Sequence, residues 1–160
     1  MNPRLWLAAA SASFALLVGC ATTTAAPANV ADTLARTPQL STLNKLVNDA
    51  GLAETLRGPG PYTVFAPTDA AFKAVPPATL AALGADPERL RSVLMYHVVP
   101  GQVMAADVKN GPAKTAQGAN VALARSGSFV TVDDAVVTSA DLPATNGVVH
   151  VVDRVLLPPR

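Results

Sequence analysis

The stretch YTVFAPTDAAF, residues 62–72, predicts a buried strand that passes directly into a helix. Tyr62 to Ala66 is a short apolar run of residues with high β propensity. Pro67 has no N–H group and a fixed φ, so the strand should end there. The hydroxyl of Thr68 can cap the following helix, and Asp69 places a negative charge in its first turn, where the helix dipole favours it. We expect this strand–helix unit to organise the rest of the fold.

The same stretch contains two phenylalanines, one on the strand and one on the helix. We expect Phe65 and Phe72 to point into one core, from the sheet side and from the helix side. No nucleophile or metal-binding set accompanies them in the sequence. The stretch therefore predicts architecture and gives little indication of catalysis.

Helix boundaries are marked on both sides of this unit. Asn29 or Asp32 can cap a first helix, and Ser41 can cap a second one. Gly51 is the residue expected just beyond the end of that second helix. Asp86 followed by a proline is typical of another helix start. The first half of the chain is therefore predicted to be mainly helical.

The second half has the pattern of antiparallel hairpins. Short valine-rich runs alternate with glycine-containing turns, and residues 120–125 and 129–132 fit one hairpin. Residues 148–152 are apolar on both faces except at His150, which predicts a central strand covered on both sides. Helices followed by strands predict an α+β fold, in which the strand at residues 62–66 joins the later strands.

Length and charge limit the possible functions. A chain of 160 residues suits one domain with a sizeable core. Beyond the first nineteen residues, eleven basic side chains balance eleven acidic ones. A neutral domain gives no electrostatic reason to expect nucleic acid or an anionic membrane surface as a partner. We therefore exclude nucleic acid as a partner. The domain itself is predicted to span residues 29–160.

A targeting segment precedes the domain. Arg4 and an apolar run lead into LVGC at residues 17–20, which resembles the lipobox of bacterial lipoproteins, whose cysteine becomes the lipidated first residue. We expect residues 1–19 to be a lipoprotein-type signal peptide and Cys20 to carry the lipid. Residues 20–28 have the composition of a flexible tether. The alternative is a secreted protein that is cut further on and loses Cys20.

The location of the mature protein follows from these two alternatives. A lipidated Cys20 predicts an outer-membrane or cell-surface lipoprotein attached to the membrane through its N-terminal lipid anchor. Without lipidation the protein is expected in the periplasm or secreted. Cys20 is the only cysteine, so the mature domain has no disulfide and depends on packing for its stability.

Three motifs together resemble the fasciclin (FAS1) domain family. TVFAPTDAAF at residues 63–72 is similar to the family's first signature block, Tyr96-His97 to its tyrosine–histidine motif, and NGVVHVVDRVLLP at residues 146–158 to its second block. The resemblance covers about residues 30–159 and implies a β-sandwich-like wedge with helices packed on one side. The motif residues to which it assigns structural roles are Thr63, Phe65, Pro67, Thr68, Asp69, Phe72, Asn146, Gly147 and His150.

The resemblance also implies a class of function. Fasciclin domains are generally extracellular modules associated with adhesion, matrix proteins and exported bacterial proteins. In animal members an Asp-Ile dipeptide before the second block, together with the tyrosine–histidine motif, is implicated in adhesion. Asp141 and Leu142 occupy the corresponding place here, with Pro143 stiffening the loop, so the interaction candidates are Asp141, Leu142, Tyr96 and His97.

The two histidines, His97 and His150, are the residues that could bind a metal or act as a base. His97 lies on an apolar helical stripe and His150 in an apolar strand. A zinc site needs three or four ligands, and the chain offers neither a second cysteine nor a His-x-x-x-His spacing. We expect both histidines to be buried and hydrogen-bonded, with no metal and no cofactor.

Catalysis is not expected. The chain has no Gly-x-Ser-x-Gly elbow and no phosphate-binding glycine loop, and Asp133-Asp134 is best explained as a solvated turn. Two hypotheses remain: a monomeric adhesion or interaction module that binds a surface or matrix protein or a polysaccharide, and a binder of an apolar small molecule, either a pigment or a lipid. A chain rich in valine and alanine could open a groove for such a molecule.

Overall fold

The computed structural model describes residues 28–159. Within this range the chain forms six α-helices: α1 Val30–Arg36, α2 Ser41–Asp49, α3 Ala53–Arg57, α4 Asp69–Ala74, α5 Pro77–Ala85 and α6 Pro87–Tyr96. No helix of the described range has the length and apolar character needed to cross a bilayer. The predicted signal peptide and Cys20 lie outside the described residues. Ala28, the last residue of the predicted tether, already accepts a hydrogen bond at its carbonyl from the Thr145 N–H, at 2.8 Å.

The same range forms seven strands: β1 Tyr62–Pro67, β2 Val98–Pro100, β3 Gly111–Lys114, β4 Asn120–Ser126, β5 Phe129–Val132, β6 Ala135–Ala144 and β7 Gly147–Val152. They make one sheet in the order β2-β1-β7-β6-β5-β4-β3. β1 and β7 pair in parallel, and the other neighbouring pairs are antiparallel. The predicted hairpin is present as β4 and β5.

The strand at the centre of the prediction does join the later strands. β1 pairs with β7 from Tyr62 opposite Gly147 to Pro67 opposite Val152. Every residue of β7 is buried, which confirms the predicted central strand. Immediately after Pro67, Thr68 caps α4 by accepting a hydrogen bond from the Ala71 N–H at 3.2 Å. Strand and helix therefore meet where the sequence places them.

The sheet separates two cores. Val64 and Ala66 on β1 face the helices and share a core with Phe72 of α4. Phe65 faces the opposite way, into a second core that side chains from β4 and β5 complete. The expectation that Phe65 and Phe72 share one core is wrong, because successive side chains on a strand point to opposite faces of the sheet.

β6 joins the two halves of the sheet. Its ten residues pair first with β5 and then with β7, and the register with β7 shifts between Val137 and Ser139 and again between Ser139 and Leu142. Such bulges bend a strand and increase its twist. The sheet therefore folds over, and the Ala116 N–H reaches the Val98 carbonyl of β2 at 2.7 Å. The predicted α+β fold, a sandwich-like sheet with helices on one side, is confirmed.

Most helix boundaries agree with the sequence prediction. The Asn29 side chain caps α1 by accepting from the Asp32 N–H at 2.9 Å. Asp86 caps α6 and accepts from two backbone N–H groups. Gly51 lies just after α2 with a φ of 67°, a left-handed conformation that favours glycine.

The start of α2 differs from the prediction. A 3-10 turn, Pro38–Leu40, runs directly into α2, so Ser41 is the first helical residue and does not cap the helix. The Asp69 carboxylate serves the helix end instead, accepting from the Ser41 hydroxyl at 2.7 Å and the Thr42 N–H at 2.8 Å. These two hydrogen bonds, with the Ser41 hydroxyl the larger cause, lower the pKa of Asp69 below its ordinary value. Asp69 thereby fastens α2 to α4.

Candidate functional site

Tyr96 lies at the end of α6 and is buried, with 3% of its surface exposed. Its hydroxyl donates to Asp133 Oδ2 at 2.9 Å and lies 3.1 Å from the Asn120 carbonyl oxygen. Burial, and then the hydrogen bond and charge of Asp133, raise the pKa of Tyr96 to about 12. Tyr96, one of the predicted interaction candidates, is therefore a buried side chain that fastens α6 to the turn between β5 and β6.

His97 follows α6 and is equally inaccessible, with 2% exposed. Its Nε2 accepts a hydrogen bond from the Leu156 N–H at 2.9 Å, which fixes the proton on Nδ1, and Nδ1 donates to the Val93 carbonyl at 2.8 Å. Burial lowers the pKa of His97 to about 4, against a smaller opposite effect of the Val93 hydrogen bond. The imidazole is therefore neutral at pH 7 and ties α6 to the C-terminal segment.

His150 is buried in the middle of β7. Its Nε2 lies 2.7 Å from the Val103 carbonyl oxygen, and its Nδ1 accepts from the Asp141 N–H at 3.2 Å. The ring stacks on Phe65, with centroids 5.6 Å apart and planes at 24°. Both imidazoles thus have partners at both nitrogens, and the expectation of buried, hydrogen-bonded histidines is confirmed.

Asp141 lies at the second bulge of β6, not in a loop. Its φ is +57°, a left-handed conformation that a non-glycine residue adopts only at some cost. The carboxylate Oδ1 accepts from the Ala105 N–H at 2.8 Å, and its distance from His150 Nδ1 is 3.9 Å. The predicted loop is therefore a strand bulge, where Asp141 holds the chain that follows β2. Asp141 and Leu142 are both partly exposed.

Asn146 forms a clamp where the second signature block begins. Its Oδ1 accepts from the Val30 N–H at 2.8 Å, and its Nδ2 donates to the carbonyls of Leu56 at 2.7 Å and Gly58 at 2.8 Å. The next residue is Gly147, at which an added Cβ would lie 1.9 Å from the Tyr62 carbonyl oxygen. The Asn-Gly pair therefore joins α1, α3 and β7 at a point where no larger residue than glycine fits.

Thr63 secures the segment after β2 from the other side. Its buried hydroxyl donates to the Gly101 carbonyl at 2.7 Å and accepts from the Val103 N–H at 2.9 Å. The carbonyl oxygen of Val103 is in turn within hydrogen-bond distance of His150 Nε2. Residues of all three signature motifs therefore make hydrogen bonds within the fold.

Metal binding finds no support among residues 28–159, where no three His, Cys, Asp or Glu side chains approach one another closely enough to share an ion. Asp133 does lie in an exposed turn, as the sequence indicates, with a φ of +50°. Its second oxygen also accepts from the Ala122 N–H at 2.7 Å. Sequence reasoning missed this partner of Tyr96, because the two residues are 37 positions apart.

An apolar cavity of about 250 Å³ lies between the helices and the sheet. Its wall consists mainly of buried aliphatic side chains from α2, α3, α6, β1 and β2 and the segment before α3, namely Leu43, Val47, Leu52, Leu56, Val64, Leu94 and Val98. His97 completes the wall with a ring whose two nitrogens are already engaged. The interior therefore suits hydrocarbon.

The mouth of the cavity is formed by the less buried residues of its lining, which are Thr55, Tyr62, Met95, Pro100 and Ala116. Thr55 and Tyr62 bring hydroxyl groups to this rim. The valine- and alanine-rich composition suggests an apolar groove, but its position depends on how the helices meet the sheet. The sequence alone could not supply that position.

Comparison with known proteins places these features in a wider group. The Fasciclin domain family model matches residues 38–158. Protein sll1483 of Synechocystis sp. is 44% identical over 121 residues, which cover 74% of this chain and 67% of that protein. Cell surface glycolipoprotein MPB83 of Mycobacterium bovis is 38% identical over 135 residues, 81% of this chain and 60% of that protein.

A solved structure has the same fold. The FAS1 domain pair from the insect cell adhesion molecule fasciclin I superposes with a TM-score of 0.64, covering 82% of this chain and 51% of that one. The sequence identity is 17%, so this similarity establishes the fold alone.

Proposed function

Because the chain belongs to the fasciclin domain family, we propose that it is a non-enzymatic interaction module held outside the cytoplasm. Its partner is a protein or polysaccharide of the cell surface or matrix, bound through exposed loops and strand surfaces. Two matched proteins support this proposal, one named as a cell surface glycolipoprotein and one taken from a cell adhesion molecule.

One observation carries the non-enzymatic part of the proposal. All four imidazole nitrogens of His97 and His150 are engaged in hydrogen bonds within the fold. A general base needs a free nitrogen within reach of a substrate. The residues that the family motifs emphasise are thus used internally, and recognition is left to groups at the surface.

Three accessible groups are the first to test. Asp141 and Leu142 keep part of their surface exposed on β6, and Phe129 at the start of β5 is 67% exposed. Tyr96 and His97 take part by positioning the elements around them, because their own side chains are buried.

The test compares variants of the full chain in binding to isolated envelopes. Asp141→Asn keeps the oxygen that accepts from the Ala105 N–H but removes the charge. Asp134→Asn, at an exposed turn, is the matched control. The proposal predicts weaker binding for Asp141→Asn, no change for Asp134→Asn, and equal melting temperatures. Equal binding by both variants would remove Asp141 from the interaction surface.

The proposed location is the outer membrane or cell surface, through a lipid on Cys20. Mass spectrometry of the mature N-terminus is the test, and a lipidated Cys20 as the first residue is the expected result. A Cys20→Ala variant should be released from the membrane. A mature chain that begins after Cys20 would instead make the protein periplasmic or secreted.

The cavity favours a second candidate function, the binding of an apolar small molecule. Ligand sites are typically concave and mainly apolar with a few polar groups at fixed positions, as this cavity is. Native mass spectrometry and an absorption spectrum of the protein purified from its own source would reveal a bound lipid or pigment.

A further inference from the structure

We infer that the cavity binds one hydrocarbon chain of a membrane lipid and that its mouth faces the membrane holding the anchor. This inference rests on the second candidate function and on lipidation of Cys20. It concerns the chemical class of the ligand and the direction from which it enters.

The distribution of polar groups defines the shape of the ligand. The buried wall is aliphatic, so the part of a ligand inside must be hydrocarbon. The hydroxyls of Thr55 and Tyr62 are at the rim, and neither makes a hydrogen bond to another residue of the described range. A molecule with a hydrocarbon tail and a polar head matches this arrangement, with its head at the mouth.

The size of the cavity selects a flexible chain over a long rigid pigment. A cavity of roughly 150 Å³ holds one benzene molecule, so 250 Å³ holds about ten carbon atoms. A lipid can insert the end of one acyl chain and leave the rest outside. A rigid polyene several times longer cannot be enclosed in a space of this volume.

The cavity mouth lies near Ala28, the first described residue, through contacts of the rim residue Tyr62. Tyr62, at the rim of the cavity, donates its N–H to the Asn146 carbonyl at 3.0 Å, and the Leu56 carbonyl in the cavity wall accepts from Asn146 Nδ2 at 2.7 Å. The same Asn146 accepts from the Val30 N–H at 2.8 Å, and the neighbouring Thr145 N–H binds the Ala28 carbonyl at 2.8 Å. Ala28 and the rim residue Tyr62 are thus joined through the adjacent residues Thr145 and Asn146.

The tether is short. Residues 21–28 can span at most about 29 Å when fully extended. A lipid on Cys20 would therefore keep Ala28, with the cavity mouth near it, within about 29 Å of the bilayer surface. Membrane lipids would be the nearest and most concentrated source of hydrocarbon chains.

Photo-crosslinking of the full-length lipoprotein in phosphatidylcholine vesicles tests the inference. The probe is a phosphatidylcholine with a diazirine near the end of one acyl chain. We expect labels on residues that line the cavity, in peptides covering residues 43–56 and 94–98. Labels confined to the outer surface would overturn the inference.

A matched pair of variants separates occupancy of the cavity from general contact with lipid. Ala116→Phe places a ring in the mouth, whereas Ala124→Phe places the same ring on the exposed face of β4. We expect Ala116→Phe to reduce cavity labelling at least tenfold and Ala124→Phe to leave it unchanged. Thr55→Trp, also at the mouth, is the second plug if Ala116→Phe does not fold. Equal labelling of plugged and control proteins would contradict the inference.

Further experiments identify the source of the hydrocarbon chain and distinguish failure of this inference from failure of the other proposals. If wild-type protein excludes the probe while Cys20→Ala accepts it, the anchor's own acyl chain fills the cavity and the membrane-lipid assignment is wrong.

Free fatty acids of six to sixteen carbons should bind Cys20→Ala about fourfold more tightly per methylene, with a plateau near ten carbons. A copurifying pigment lost in Ala116→Phe would uphold the second candidate function and refute this inference. Envelope binding, measured separately, would be unaffected.

Discussion

His97 gives the most direct link between one side chain and the stability of the fold. The ring is buried, its Nε2 accepts from the Leu156 N–H, and its pKa is lowered to about 4. An unfolded histidine titrates near pH 6.5. Between these two pH values the unfolded chain binds a proton that the folded chain does not, so acid favours unfolding.

We predict that the free energy of unfolding falls by about 3 kcal/mol as the pH is lowered from about 6.5 to about 4, because of His97. About one pH unit above 6.5 and higher, the contribution of His97 should be constant. Urea unfolding at a series of pH values measures the effect.

The control for this prediction is His97→Gln, which removes the titrating group. The variant should be less stable at pH 7 but should show a flatter pH dependence between pH 6.5 and 4. An unchanged pH dependence in His97→Gln would mean that other groups cause the acid sensitivity.

The parallel pairing of β1 with β7 brings the two strands into unusually close contact. Here the backbones approach so closely that a Cβ at Gly147 would lie 1.9 Å from the Tyr62 carbonyl oxygen. Just before β1, a Cβ at Gly60 would lie 2.0 Å from the Asn146 carbonyl oxygen. Both contacts are with backbone atoms, which cannot move aside without separating the strands.

We predict that Gly147→Ala lowers the free energy of unfolding by more than about 4 kcal/mol, because it forces β1 and β7 apart. The matched control is Gly84→Ala within α5, where a Cβ meets nothing within 4 Å. That change should stabilise the protein by about 0.5 to 1 kcal/mol, since alanine favours helix more than glycine does. Urea unfolding of both variants tests the pair, and similar values for the two would contradict this account of β1–β7.

Local signals explain what the sequence could predict about these elements. The Thr68 cap, the Asp86 start and the Gly51 end depend on a few neighbouring residues, and each is where the sequence places it. The prediction that Ser41 caps α2 is wrong, because the helix end is served by Asp69, which is 28 positions away. The position of Asp141 depends on a bulge that forms only when β6 pairs with β7. Contacts between distant residues leave no local pattern to read.

The whole domain is held together by contacts that cross between its helical and strand-rich parts. His97 joins α6 to the C-terminal segment, and Tyr96 joins α6 to the turn after β5. β1 and β7 each have one face in either core. Neither core can be lost without exposing the central strands of the other.

We therefore predict a single cooperative unfolding transition. Circular dichroism at 222 nm reports mainly on the helices, and hydrogen exchange of β4 and β5 reports on the other part. Midpoints that coincide in urea would agree with one unit. Earlier unfolding of the strands from β3 to β5 would show that the two parts are independent.

We propose that the residues marked by the family motifs build the fold, while recognition belongs to the surface. Tyr96 tests this claim best, because it is both a motif residue and a candidate for contact with a partner. Its hydroxyl has a defined internal acceptor in Asp133, at 2.9 Å.

The decisive measurement is the unfolding free energy and the envelope binding of Tyr96→Phe, made on the same full-length preparation. The claim predicts a loss of about 1 to 2 kcal/mol in the unfolding free energy, from the missing hydrogen bond, and unchanged envelope binding well below the melting temperature. Loss of envelope binding with no change in the unfolding free energy would contradict it.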